Sequence, residues 1–406
     1  MLDGFIFDPQ SAAFAADPYA VYDEMRRGGP YWYADVETWM LTRAADIERV
    51  ARDAGMVRSR DHLISEAEQR AEQKKIGWHD MPYHERFVQT NLLESEGETH
   101  KRLRKLVMRD FSAGMVARQR GTIQAYVNRL LSDLEGRDEF DFVEDFAAHV
   151  PGHIIGRVIG VPDADCPQLR VWSEEVVRFF DVGRGPEDKA RAERATFEFY
   201  EYLVWLIGER RAAPEDDLLT RMIGHVDAGR MSEDELIATA MLILMAGHGS
   251  TIDVLGSGMH LLLQHPGEAR RLRGDPGLIN LAVQEMFRFE PPLPYFHRFA
   301  TEDCVVGGQD FPAGTRFGLL YAAGNRDPEF FERANEFLVD RPTNTHLSFG
   351  RGAHFCLGNH LARLDMDVIF TTCHRLFRRI ELVEAPEYKR GLSVRGPKAL
   401  KIRVTR

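Results

Sequence analysis

The chain has 406 residues, 44% of them hydrophobic, enough to bury a large core either as one big domain or as two to three ordinary ones. Lysine and arginine number 52 against 63 acidic residues, and the formal charge of -11 excludes a general nucleic-acid binder, because neutralising phosphates takes a basic surface. Cys166, Cys304, Cys356 and Cys373 form no CxxC pair or dense framework, so neither structural zinc nor a disulfide scaffold is indicated and a reducing cytoplasm fits best.

The start, Met1-Leu2-Asp3-Gly4-Phe5, lacks a basic region followed by an apolar core. The longest apolar-rich stretch, Leu236 to Gly247, is too short to span a bilayer, so no secretion signal or membrane anchor is expected. With no repeat, low-complexity tract or long linker, residues 1–406 read as one domain.

Asp17-Pro18 opens a helix that Gly28-Gly29-Pro30 ends, and Tyr31 to Thr42 reads as a pair of strands rich in aromatic and β-branched residues. Arg58 to Leu92 and Asp181 to Glu187 look irregular. The first mixes Trp78, His79, Met81, Tyr83, His84 and Phe87 with many charges, a composition that suits either a loop over a pocket or a solvated excursion. Periodicity then predicts helices over Gly97–Phe111, Met115–Leu134, Ala147–Ile159, Cys166–Phe180, Glu187–Arg211, Ser232–Gln264 and Leu278–Phe289. Short strands follow at Val305–Gly307, Arg316–Tyr321 and Lys401–Thr405, and a last helix covers Leu357 to Phe370. The class is mainly α with a small β subdomain.

Chemistry concentrates in Phe349-Gly350-Arg351-Gly352-Ala353-His354-Phe355-Cys356-Leu357-Gly358. Three glycines allow tight turns and close approach to a flat cofactor, and a helix begins at the sulfur, where its N-terminus favours a thiolate. The pattern fits a cysteinate ligand to haem iron, which pushes electron density toward dioxygen; an isolated buried cysteine would instead be simple packing. The helix from Ser232 opens with a capping box to Glu235 and runs through Met241-Leu242-Ile243-Leu244-Met245 to Ala246-Gly247-His248-Gly249-Ser250-Thr251. Two interior glycines cost it up to about 2 kcal/mol against alanine, which calls for a local reason such as close approach of haem or dioxygen, or a kink with Ser and Thr bonded to preceding carbonyls.

Together these runs resemble the cytochrome P-450 family of haem-thiolate monooxygenases over nearly the whole chain. The family's Glu-x-x-Arg is matched by Glu285 and Arg288, and its later partner arginine by Arg341. Glu285 and Arg288 share a helix face at i, i+3; alone, the same spacing is equally that of a surface ion pair. The resemblance implies a single helical fold with a small β subdomain enclosing haem b, with Cys356 as the metal ligand. It makes His100, Arg104, Arg298, Phe349, His354 and Cys356 cofactor-binding, the cations taking the propionates, and it gives Ser250 and Thr251 the orientation of oxygen and water.

The implied reaction inserts one atom of dioxygen into a moderately sized, largely apolar organic substrate. Electrons come from NAD(P)H by way of a ferredoxin-type partner and a separate reductase, as no G-x-G-x-x-G run lies between strand and helix. Lys101, Arg102, Lys105 and Arg109 form either a docking face for that partner or a solvated face. The implied pocket is lined by 58–92, 171–184, 242–250, Leu293-Pro294-Tyr295-Phe296 and Val394-Arg395. No nucleic acid or membrane partner is expected.

One departure stands out. The family's Ala-Gly-x-acid-Thr puts Gly249 at the acid and Ser250 at the threonine, so water, His248 or Asp253 has to supply the missing proton relay. That departure keeps open an oxidative coupling or peroxide-driven enzyme of the same fold, and, more distantly, a haem sensor or carrier without turnover.

Overall fold

The computed structural model describes residues 6–181 and 184–406. The opening Met1–Phe5 and two positions of the irregular 181–187 stretch, 182 and 183, lie outside them.

Helices make up most of the fold, and their ends follow local chemistry. Tyr19–Gly28 stops where Gly29 turns to φ +81°, and Gly97–Val107 carries His100, Leu103 and Val107 on its buried face. The expected Met115–Leu134 helix is two pieces, Ala113–Ala117 and Arg120–Asp133. The expected Glu187–Arg211 helix runs Pro186–Ala212, with proline at its first position, where no N–H is needed. Short helices at Ala44–Arg52, Leu218–Asp227 and Pro266–Gly274 complete the bundle.

The irregular reading of 58–92 is corrected. Ser65 and Glu68 form a capping box that starts a helix over Glu66–Ile76, and Pro82 starts a second over Pro82–Thr90. A charged, weakly amphipathic helix lacks the apolar stripe that makes periodicity visible in sequence.

The central helix is broken. Glu233–Ala246 and Gly249–Gln264 meet at Gly247–His248, where His248 leaves the helical region at φ -106°, ψ -82°. Taken together, Glu233–Gln264 spans 32 residues at a mean hydropathy of 1.4 in its most apolar window, so it is long and apolar enough to cross a membrane, contrary to the estimate from Leu236 to Gly247 alone. Since 78% of that window is buried inside the protein, its apolarity is that of a core helix.

The β part is small. Its main sheet runs, in spatial order, Tyr31–Tyr33, Thr38–Leu41, Arg316–Leu320, Tyr295–Ala300 and Met56–Val57, with one parallel contact between the second and third strands. Strand Tyr295–Ala300 covers part of a stretch expected only as pocket lining. A second sheet orders Glu139–Asp141, Lys401–Thr405 and Arg379–Leu382, closing the C-terminus onto the helices.

Candidate haem site

Cys356 sits between a turn and a helix. Gly352 adopts φ +71°, and a side chain there would begin 2.3 Å from the Ala51 carbonyl oxygen, so the turn accepts glycine alone. Gly358 has φ -82° with open space beside it and needs no such freedom; it caps the helix Asn359–Leu376. The Cys356 N–H donates to the Phe349 carbonyl at 2.8 Å, and Asn359 Nδ2 donates to the Cys356 carbonyl at 2.9 Å. Burial pushes the Cys356 thiol up, while the Gly358 N–H, the Arg104 and Arg363 charges and the Asn359 N–H pull it back. Those donors and charges are what a coordinated thiolate needs around it.

The sheet and two helices gather cations beside this loop. His100 and His354 have ring centroids 4.3 Å apart, and His100 Nε2 is buried without a hydrogen-bond partner among the described residues. Burial, then the His354 and Arg104 charges, lower the His100 pKa to about 4. Arg104 Nη2 donates to the Phe355 carbonyl at 2.5 Å. Arg298 is 3% exposed, with Nη1 donating to the His297 carbonyl at 2.7 Å. His354 Nε2 lies 3.3 Å from Glu96 Oε2. Phe349 is buried against Phe287, centroids 4.6 Å apart, with the Arg363 guanidinium 4.4 Å above its ring. The fold thus brings His100, Arg104, Arg298, His354 and Cys356 into one region.

Glu285 and Arg288 are fully buried rather than a surface pair. Arg288 donates to both carboxylate oxygens at 2.7 Å, and Arg341 Nε reaches the same carboxylate at 2.9 Å. Their remaining donors hold the carbonyls of Asn325, Ala334 and Glu336. This is a scaffold beneath the loop, not part of the reacting surface.

On the opposite wall, Ala246 is exposed and Gly247, Gly249 and Ser250 are half-exposed between two buried runs of the helix, Leu236–Met245 and Thr251–Leu262. Accessible surface deep in the core marks an internal cleft. Ser250 faces it and donates from Oγ to the Ala246 carbonyl at 3.2 Å, the bond of a kinked helix. Thr251 is 5% exposed, one step round the helix and turned into the core. A side chain at Gly249 would meet nothing within 4 Å.

Neither substitute acid reaches that space. His248 is buried against Gly152, where an added Cβ would lie 2.3 Å from the ring, and both its nitrogens lack partners among the described residues. Asp253 is buried and receives Lys389 Nζ at 2.6 Å, in the C-terminal turn. Water remains.

The expected lining is partly as read. Trp78, Met81, His84 and Phe87 turn inward, and His84 meets Trp78 and Phe179 edge-on at 5.1 Å each. His79 is exposed, while Tyr83 packs on Phe197 at the surface. Arg395 is no lining residue, since Nε donates to Glu290 at 2.6 Å and Nη1 to the Ala15 carbonyl at 2.8 Å. Of the basic face, Arg102 pairs with Glu235 and Lys101 with Glu98, whereas Lys105 and Arg109 are exposed. Arg58, read from sequence only as the start of the 58–92 lining, lies beside Arg298 and pairs with Glu94.

Residues 277–402 match the family model for cytochrome P450. The chain is 32% identical to cytochrome P450 107B1 of Saccharopolyspora erythraea, covering 96% of each chain, and 32% identical to the cytochrome P450 monooxygenase PikC of Streptomyces venezuelae, covering 96% of this chain and 92% of that one. Among solved structures, the myxobacterial CYP267B1 in complex with myristic acid superposes with a TM-score of 0.90 at 31% identity, covering 98% of each chain. P450BioI in complex with a hexadecenoyl-ligated acyl carrier protein superposes at 0.89 and 27% identity, covering 97% of this chain and all of that one.

Proposed function

The chain belongs to the cytochrome P450 family of haem-thiolate monooxygenases, and on that footing we propose that it inserts one oxygen atom from dioxygen into a moderately sized, largely apolar organic molecule. The haem is haem b, the electron donor a ferredoxin-type protein served by a separate reductase, and residues 1–406 act as one cytoplasmic domain without a membrane or nucleic-acid partner. The observation that carries the reading is Cys356 between the Gly352 turn and a helix N-terminus, beside His100, Arg104, Arg298 and His354.

When bound, haem supplies the redox chemistry, its iron activating dioxygen under the push of the cysteine sulfur. The protein's share begins at that sulfur, which the Gly358 and Asn359 N–H groups and the Arg104 and Arg363 charges favour as a thiolate. Arg104, Arg298, His100 and His354 would hold the two propionates, arginine by its fork and histidine through ring nitrogens. Phe349 packs the loop so that the sulfur does not shift. On the far wall, the Ser250 hydroxyl is, among the described residues, the protic side chain on the accessible face of the kink, and it orients water that carries protons past Gly249. Thr251 is buried beside Ser250 and carries the second hydroxyl of the pair. The aromatic wall of Trp78, Phe87, Phe179 and Phe180 suits an apolar substrate and excludes bulk water.

A second reading, an oxidative coupling or peroxide-driven enzyme, is favoured by the bare Gly249 and by the orientation of His248 and Asp253 away from it. A haem sensor without turnover is the remaining alternative. Turnover under isotopically labelled dioxygen with competent redox partners separates the three: label in product supports insertion, unlabelled product supports coupling, and tight binding without product supports the sensor.

A further inference from the structure

Strand Met56–Val57 pairs antiparallel with Tyr295–Ala300, Met56 opposite Ala300 and Val57 opposite Phe299. The paired strand ends at Val57, and continuing its register by one step would set Arg58 against Arg298 on one face. Both arginines are buried, at 5% and 3% exposure. Like charges set opposite one another destabilise a sheet, and more so away from water. An anion between them offsets that cost, and arginine's fork suits a carboxylate.

The chain's own groups answer only part of that demand. Arg58 pairs with Glu94 through Nη2, and its backbone N–H donates to Glu96, which also meets His354. Both guanidiniums lean on a single backbone oxygen, that of His297, Arg298 at 2.7 Å and Arg58 Nη1 at 3.4 Å. The Arg58 guanidinium lies 4.9 Å over the Phe296 ring, so its plane is fixed, yet its Nε is buried with no partner among the described residues. Burial lowers the Arg298 pKa and the Arg58 charge adds to that, while Tyr321, Glu96 and Glu94 work against it. A carboxylate added at this face would relieve both arginines.

We propose that Arg58 is a further carboxylate-binding residue of the haem cleft, taking a haem propionate jointly with Arg298, while Glu94 is the internal carboxylate that keeps Arg58 oriented. The proposal rests on the haem reading above. It makes Arg58 a cofactor-binding residue that would act on the iron only through its charge.

The test uses the holoenzyme and two readouts besides turnover, namely the rate of haem transfer to excess apomyoglobin and the ferric–ferrous reduction potential. Arg58→Gln is expected to speed haem loss roughly tenfold, the value of one charge-assisted hydrogen bond, and to lower the potential because a cation near the iron is gone. Arg58→Lys restores most of the potential but not the retention, since a point charge lacks the fork. Glu94→Gln shifts the potential the opposite way, upward, and speeds haem loss less than Arg58→Gln. If Arg58 and Glu94 were only a folding pair, both variants would move both readouts in the same direction, and that result overturns the proposal. So does an Arg58→Gln enzyme with unchanged haem loss and potential but a weakened spin-state shift with myristate, which would make Arg58 a reader of substrate carboxylate. A wild-type protein that purifies without haem, or takes up none, sinks the haem reading itself and is distinguishable from either outcome.

Discussion

The Arg288 guanidinium donates to both oxygens of the Glu285 carboxylate at 2.7 Å, and neither side chain is exposed to solvent. Glu285 also accepts from Arg341, from the Leu338 N–H at 3.0 Å and from Asn344 Nδ2 at 2.9 Å, so one carboxylate fixes a helix to the loop leading toward Cys356. Removing one member leaves buried charges unpaired. Glu285→Gln is therefore expected to lower stability by about 3–5 kcal/mol, read by urea unfolding with haem absorbance as a second probe. The exposed pair Lys401–Glu384 serves as control, and Glu384→Gln should change neither readout.

Ser250 and Thr251 differ in what they face, and their alanine variants should differ accordingly. With Ser250 on the cleft, Ser250→Ala is expected to cut product formed per NAD(P)H about tenfold, the excess electrons appearing as peroxide or water. Thr251→Ala acts on packing and should spare that ratio. Coupling unchanged in Ser250→Ala would remove its hydroxyl from proton delivery.

Open space beside Gly249 makes a gain-of-function test available. Gly249 is the first residue of its helix, where an acid is favoured by roughly 0.3–1 kcal/mol, and an added Cβ meets nothing within 4 Å. Gly249→Glu should fold at least as stably and raise the coupled fraction by restoring an acid at the kink. Lower coupling in a well-folded variant would show that the gap itself is required.

Several buried histidines contribute to the acid limit, and His84 and His248 are two of them. Burial lowers His84 to about 3, with Arg184 adding to it, and lowers His248 to about 4, with Arg170 and His149 adding; the ordinary value is 6.5. Between those values the unfolded chain binds protons that the folded one refuses, so stability falls as pH drops below 6.5. The slope is about 1.4 kcal/mol per pH unit for each histidine, ending near pH 3 and 4 respectively. Urea unfolding at a series of pH values should show it, and His84→Leu should remove one histidine's share.

The sequence announces residues whose neighbours in space are also neighbours in the chain. Cys356 with its glycines, His100 with Arg104 and Glu285 with Arg288 are local patterns, and each is found in the fold as a unit. Arg341 and Arg298 were reachable only through the family pattern. Arg58 carries no such signal, because its meaning comes from a strand register with a segment some 240 residues away. The break at Gly247–His248 was half legible: two glycines suggest a weak point, but packing of the His248 ring against Gly152 decides which way the side chain turns. For the same reason Arg395, read as pocket lining, proves to be an anchor for Glu290.

The central claim is that Cys356 gives a thiolate to haem iron, and the reduced carbon-monoxide difference spectrum addresses it most directly. Wild-type protein should give the absorption band of a thiolate-ligated haem, and Cys356→Ala, at equal haem content, should lose that band entirely. A haem-loaded wild type without the band, or a Cys356→Ala variant that keeps it, would contradict the account.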